Sequence, residues 1–518
     1  MSTRIASINA STGQVLKEFD ATPASRLPQI ISDAQTAQTA WAAKSVRSRA
    51  SQLRNLREAL IGQTNALVEL LALETGRPRT EILATELLPA VRTLSYYLNR
   101  AKLLDGKRIH LTFAKYGQST RHSWPLGTIG VISDSQSPLF FPIADIALAL
   151  LGGNAAVLIP GALAPQTGLK ILELAESAGL PKNLLQVVLG GEDLQLALAK
   201  QKLGKIFYSG AGDTLQKLVS AGAESFVPIR YSLAHKDIAV VLSDADVDFA
   251  SSAVAWGATR NGALACSCVE RVLVHESVVT TFTDQLVRKL STLRQGPPTD
   301  ENTDLGPLPL FVSREKILKQ LDEAKSAGGK VLAGGDFDST GRFLKPTVIQ
   351  IPDGAQSKIL EEPLSAPIVC LQTFRSPSEA VDLANSNFSG LAAAIFTRNT
   401  VLGEQLAHQM QYSTVTLNEL SCTATLPEAP WGGRRITGAG SRFSESWVFE
   451  FVNTQHLHQP KTRGVAVKSW WWFPYSPFQH TAFKTSLDLF RNNLLNRLAF
   501  VPIFLWNFVQ FVKKEKRL

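Results

Sequence analysis

From about residue 28 to residue 101, apolar side chains return every third or fourth position, as in Leu53, Leu56, Leu60, Leu67, Leu70 and Leu71. A break falls at Glu74-Thr75-Gly76-Arg77-Pro78. This period predicts two or three amphipathic helices. The pattern then shortens to strand-like runs at 108–113 and Gly127–Ile132. Strand and helix signals follow in turn: a strand at Ala155–Ile159, a helix over Pro165–Ala178, a strand at Leu185–Val188, a helix over Asp193–Lys200 and a strand at Lys205–Tyr208. A second alternating stretch has strands at Ile238–Leu242 and Arg271–His275 and helices near Phe249–Thr259, Val278–Leu293 and Ser313–Ala327, with a Gly/Pro-rich connection at Gly296–Pro309. Alternation with short links implies βαβ units and mainly parallel sheets, so two α/β domains are expected.

A chain of 518 residues, 45% hydrophobic and 19% charged, has material for more than one core and is not disordered. The four cysteines, Cys266, Cys268, Cys370 and Cys422, are too few and too bunched for a disulfide framework. A reducing, cytoplasmic compartment is expected. The first residues lack the charged start and apolar run of a signal peptide, so export by that route is not expected.

The formal net charge of +9 changes the picture through its distribution. Residues 461–518 hold ten basic side chains against Asp488 and Glu515, a net +8, which leaves a nearly neutral body. The same tail carries Trp470-Trp471-Trp472-Phe473-Pro474-Tyr475 and an apolar run of 15 residues, Leu498–Val512, interrupted by Pro502, Asn507 and Gln510. That run is short of the roughly 20 residues a spanning helix needs. Interfacial aromatics beside clustered Lys and Arg suit a monotopic anchor on an anionic leaflet. A helical arm packed on another subunit is the alternative. Nucleic acid is not expected, because the basic residues adjoin apolar runs.

Cys266 lies in a stretch of small residues, Asn261-Gly-Ala-Leu-Ala-Cys266-Ser-Cys268, just before the strand at Arg271. A thiolate beside backbone N–H groups that face a carbonyl is what covalent acyl chemistry needs, although a buried core thiol is the commoner role for cysteine. The Asn261, Cys266 and Arg271 spacing, together with Gly152–Pro160, Ala178–Pro181, Leu185–Val188, Glu361-Glu362-Pro363, Asn418, Pro430–Gly433 and Thr437–Gly440, resembles the NAD(P)-dependent aldehyde dehydrogenases over roughly residues 5–455. The resemblance implies two Rossmann-like parallel-sheet domains, one for cofactor and one catalytic, a small β oligomerisation arm and a helical C-terminal extension. It places a cofactor domain at 1–230 with an oligomerisation hairpin near 107–125, a catalytic domain at 231–420, a return segment at 421–460 and the tail at 461–518. It also implies a homodimer or homotetramer.

Carried over residue by residue, the resemblance makes Cys266 the nucleophile and puts Gln136 where the family has an asparagine oxyanion donor. Ser232 stands where the family has a general-base Glu, with His235 three positions on as the substitute. Ser209, Gly210 and Gly212 fall in the pyrophosphate-binding turn. The family's ribose Lys is Ile159, and its second ribose contact falls on Glu362 or Pro363. No metal site is expected. The implied function is oxidation of an apolar, long-chain aldehyde with NAD or NADP through a Cys266 thiohemiacetal, at a membrane surface; long-chain members of the family also carry apolar C-terminal extensions. The altered base and ribose positions support an alternative, a scaffold of the same fold without dehydrogenase chemistry. A third reading keeps Cys266 as an acyl-transfer nucleophile without cofactor.

Overall fold

The structure, a computed structural model, describes residues 4–109, 117–263, 268–420, 425–460, 472–488, 490, 502, 505, 506 and 509. Contacts divide the chain into one unit of residues 1–107 with 121–455 and another of 108–120 with 456–518.

The first unit begins with an antiparallel pair, β1 (Arg4–Ile8) and β2 (Val15–Asp20). Helices Leu27–Ala42, Val46–Gly62, Thr64–Thr75 and Leu88–Asn99 follow, with a short turn Arg79–Ile82 running into a π-helical turn Leu83–Leu87. The apolar period predicts two or three helices, and the structure has these four. The period runs unbroken through Leu56, Leu60, Leu67 and Leu71, yet Gln63 leaves helical geometry between them (φ −105°, ψ 18°). Gly76, in the left-handed region at φ 77°, ends the helix Thr64–Thr75 at the break the sequence marks.

Strands β3 (Lys107–Ile109) and β4 (Gly117–Pro125) come next, so only the start of the expected 108–113 strand lies within the described residues. Then β5 (Thr128–Ile132), β6 (Ala155–Ile159), β7 (Leu185–Val187), β8 (Lys205–Gly210) and β9 (Ile229–Leu233) form a parallel sheet in the order β7-β6-β5-β8-β9. Every residue of β5 and β6 is buried, which is why these strands read as unbroken apolar runs. The helix Phe140–Leu151 is buried at all positions, packed between β5, β6 and the helices Val46–Gly62 and Leu88–Asn99. Asn154, fully buried, pins this layer. Its Oδ1 accepts from the N–H groups of Leu126 (2.6 Å) and Gly127 (3.0 Å), and its Nδ2 donates to the carbonyls of Ala149 and Phe451.

The chain crosses to a second sheet through residues 234–236. Here β10 (Asp237–Val241), β11 (Val269–His275), β12 (Lys330–Ala333), β13 (Thr347–Gln350), β14 (Ile368–Phe374), β15 (Ala392–Phe396) and β16 (Thr414–Leu417) take the order β12-β13-β14-β11-β10-β15-β16. All pairs are parallel except the edge pair β12 and β13, a departure from an all-parallel sheet. With β17 (Val452–Pro460), a three-stranded sheet has the order β17-β4-β3. In the second unit a helix spans Pro477–Asp488, preceded by a turn in which Gln479 Nε2 donates to the Trp472 carbonyl (3.1 Å).

Candidate active site

In the five-stranded sheet the chain order turns outward on either side of β5 and β8, and the crevice outside the carboxyl ends of such strands is where α/β sheets bind ligands. The sequence candidates gather along that edge. Gln136 lies in the loop that leaves β5, half-buried, with its backbone N–H on Asp134 Oδ1 at 2.9 Å. Ser209 and Ser232 are in register on adjacent strands β8 and β9. The chain then runs through His235, whose buried Nδ1 lies 3.2 Å from Asp237 Oδ2. Burial alone would lower the imidazole pKa, and the Asp237 carboxylate overrides it, so the net direction is up.

Cys266 lies outside the described residues, as does Cys422, and of Asn261 only the backbone is described. The flanking residues are in view. Cys268 is buried, its Sγ donates to the Gly257 carbonyl (3.1 Å), and burial raises its pKa far from reactivity. Arg271, on β11, is a strut: its guanidinium donates to Gln372 Oε1 (2.9 Å) and the Leu383 carbonyl (3.2 Å). Lys236, fully buried, pairs with Glu270 at 2.6 Å and so ties the start of β10 to β11.

The pyrophosphate-binding turn can be tested on its own atoms. Ala211 N-caps the helix Gly212–Glu224 without a side-chain cap, and a Cβ at Gly212 would meet only Leu233 Cδ1, at 3.7 Å. The first-turn N–H groups are therefore open to an anion. Glu192 sits nearby, holding Thr214 Oγ1 (2.7 Å) and neutralised by Lys217 (2.6 Å). Gly210 is different. The Tyr208 phenol folds over it, its OH donates to the Ala211 carbonyl (2.8 Å), and a Cβ on Gly210 would come within 2.5 Å of that oxygen. Burial raises the phenol to about 12. The turn thus fits a pyrophosphate at Gly212, while Ile159, fully buried at the end of β6, offers a ribose no hydrogen bond. Glu362 accepts from Gln320 Nε2 (2.9 Å) and pairs with Lys316 (3.2 Å), beside a cavity of about 170 Å3 that Pro363, Leu364 and Ser365 help to line.

Two groups escaped the sequence reading. Arg442, from the return segment, donates to Asp145 Oδ2 (3.0 Å) and Ser209 Oγ (3.3 Å). Ser232 forms a bridge with Gly438, so that segment closes against β9 around a cavity of about 30 Å3 lined by Ser232, Arg230, Arg442 and Trp431 among others. An arginine two residues after the quoted Thr437–Gly440 turn is the only signal in the sequence. The second group is Glu86, whose carboxylate takes up the N–H groups of Leu139 and Phe140. Among the described residues no group of His, Cys, Asp and Glu could hold a metal ion.

Comparison with known proteins gives a consistent result. Residues 1–457 match the family model described as the aldehyde dehydrogenase family. A chloroplastic betaine aldehyde dehydrogenase of Amaranthus hypochondriacus is 29% identical over 91% of this chain and 95% of its own length. A peroxisomal aminoaldehyde dehydrogenase of Malus domestica is 28% identical over 91% and 94%. Among solved structures, PnpE from Pseudomonas sp. WBC-3 superposes with a TM-score of 0.85 at 25% identity, covering 90% of this chain and 96% of that one. The NAD+ complex of an aldehyde dehydrogenase from Bacillus cereus gives 0.84 at 25%, covering 89% and 94%.

Proposed function

This chain belongs to the aldehyde dehydrogenase family, and on that premise we propose that it oxidises an apolar, long-chain aldehyde to the acid with NAD or NADP, through Cys266. The observation that carries the reading is the family match together with the Asn261, Cys266 and Arg271 frame, in which Cys268 is removed from the chemistry by its buried hydrogen bond.

In this reading the Cys266 thiolate adds to the aldehyde carbon, and the carboxamide of Gln136 and the Cys266 backbone N–H donate to the oxygen as it becomes anionic. When bound, NAD(P)+ accepts the hydride that leaves the carbon. Collapse of the oxyanion leaves a thioester on Cys266, and water then releases the acid and the thiolate. Of the turn Ser209–Gly212, the open helix start at Gly212 would hold the pyrophosphate. Ser232 cannot take a proton from that water as a carboxylate would, and the Asp237 carboxylate favours the charged form of His235, so thioester hydrolysis is the slow step.

The described tail residues support a membrane surface as the place of action. Trp472, Phe473, Tyr475, Phe483, Leu487, Phe490 and Trp506 are exposed, and among the described residues no helix is long and apolar enough to cross a membrane. A homodimer or homotetramer of cytoplasmic chains is the assembly proposed.

A second reading, a scaffold without chemistry, draws on Ile159 and on the Tyr208 phenol over Gly210. Calorimetric titration of NAD+ and NADP+ decides between them, with turnover of aldehydes of increasing chain length followed by reduced cofactor. Saturable binding and turnover lost in Cys266→Ala are expected. Failure of both cofactors to bind leaves the scaffold reading standing.

A further inference from the structure

Glu86 stands in the π turn Leu83–Leu87, and its side chain and that of Arg77 are each 1% exposed. One carboxylate oxygen accepts from Arg77 Nη1 at 3.0 Å, and Arg77 Nε donates to Thr75 Oγ1 at 3.2 Å. The other oxygen accepts from the N–H groups of Leu139 (3.1 Å) and Phe140 (2.8 Å) and from Ser137 Oγ (3.3 Å). These donors begin the helix Phe140–Leu151 and end the loop that carries Gln136. On the near side of that loop, Asp134 Oδ1 accepts from the N–H groups of Gln136 (2.9 Å) and Ser137 (3.1 Å). Gln136 is therefore held between two carboxylates, that of Asp134 gripping its own N–H and that of the buried Glu86 gripping the residues after it.

We infer that the buried Arg77–Glu86 ion pair is the positioning device for the Gln136 carboxamide. The inference rests on Gln136 being the oxyanion donor of the proposed reaction. A glutamine has one more rotatable bond than an asparagine, so its amide reaches a fixed point only from a fixed backbone. A charged acceptor holds N–H groups at a helix start more strongly than a neutral one. Arg77 donates to the other oxygen of that acceptor, and the π turn sets the direction in which Glu86 projects. Neither side chain contacts the reacting atoms in this arrangement; both act through Gln136.

The test is a double-mutant cycle in the full-length protein, combining Glu86→Gln with Gln136→Ala and reading the rate at which p-nitrophenyl acetate acylates Cys266. Acylation needs the same oxyanion donor but no cofactor. Gln136→Ala, which removes the donor, is expected to slow acylation about 10²–10³-fold, and Glu86→Gln, which only loosens it, about 10- to 100-fold. The double variant is expected to be no slower than Gln136→Ala alone. Arg77→Lys, which keeps the charge, should retain most of the wild-type rate. Multiplying losses, or an unchanged rate in Glu86→Gln, would overturn the inference. Should Glu86→Gln fail to fold, Ser137→Ala removes one tether and leaves the ion pair, and it enters the same cycle with the same expected non-additivity. A wild-type protein that is acylated but oxidises no aldehyde removes the proposed function and still reports the cycle; one that is not acylated overturns both.

Discussion

Ser232 and His235 sit where the chain leaves one sheet for the other, and each carries a measurable consequence. A serine can relay a proton but cannot store one near neutral pH, so in the proposed reaction hydrolysis of a Cys266 thioester would lack its base. Wild-type protein mixed with aldehyde and cofactor should give a burst of about one equivalent of reduced cofactor and then a slow steady rate. Ser232→Glu should raise the steady rate at least about tenfold while leaving the burst amplitude in place, short of the full gain of about 10²–10⁴ for an ideally positioned base. An equal steady rate in both proteins would show that the slow step lies elsewhere. For His235 the folded pKa is raised above the ordinary value of about 6.5, so its pairing with Asp237 stabilises the fold fully below that pH. The contribution is lost as pH rises through the folded value. The difference in urea midpoint between wild type and His235→Asn should therefore be largest in mild acid and shrink toward alkaline pH; the opposite trend would mean the imidazole is buried neutral. At this scale Ser232, Gln136 and Ile159 were legible because each is one residue at one counted position. Arg442 was not, since its partners Asp145 and Ser209 are 297 and 233 residues away.

Elements were legible where one period acts alone. β6 reads as a buried strand because all five of its side chains are covered, whereas the helix Phe140–Leu151, enclosed on every side, shows no amphipathic stripe and passed unread. The helical region before it was harder. Its stripe of leucines continues across Gln63, so hydrophobic spacing joins what the backbone separates. The π turn at Leu83–Leu87 has no sequence period of its own; it exists where burial of Glu86 against the helix start compensates for the widened turn. A related arrangement recurs at Glu74, whose carboxylate accepts from the N–H groups of Gln166 (3.0 Å) and Thr167 (3.0 Å) at the start of the helix Pro165–Ser177, as well as from Ser7 Oγ and Thr167 Oγ1. Both helices begin without a side-chain cap from their own N-cap residue, and the donors are met from a distant helical segment instead.

For the whole molecule, the partition of charge separates place from chemistry. The body is nearly neutral, and the tail holds a net +8 with exposed aromatic side chains. Binding to vesicles containing phosphatidylserine should exceed binding to neutral phosphatidylcholine vesicles, weaken with added salt, and fall about tenfold or more when Lys513, Lys514, Lys516 and Arg517 are changed to Gln, on the basis of about 1 kcal/mol per basic residue at an anionic surface. Equal sedimentation with both vesicle types would remove the anionic surface as partner. The sequence by itself determined the α/β class, the alternation of strands and helices over much of residues 155–327, the family and the charged tail, because periodicity, spacing and composition are properties of the chain taken in order. The tertiary structure alone decided which carboxylates meet which helix starts, that Ser209 and Ser232 stand side by side, that Tyr208 covers Gly210, and that Glu362 turns to Lys316. Those pairings depend on how distant segments close onto the same sheet edge, and a burial-driven contact between them leaves no local pattern in the chain.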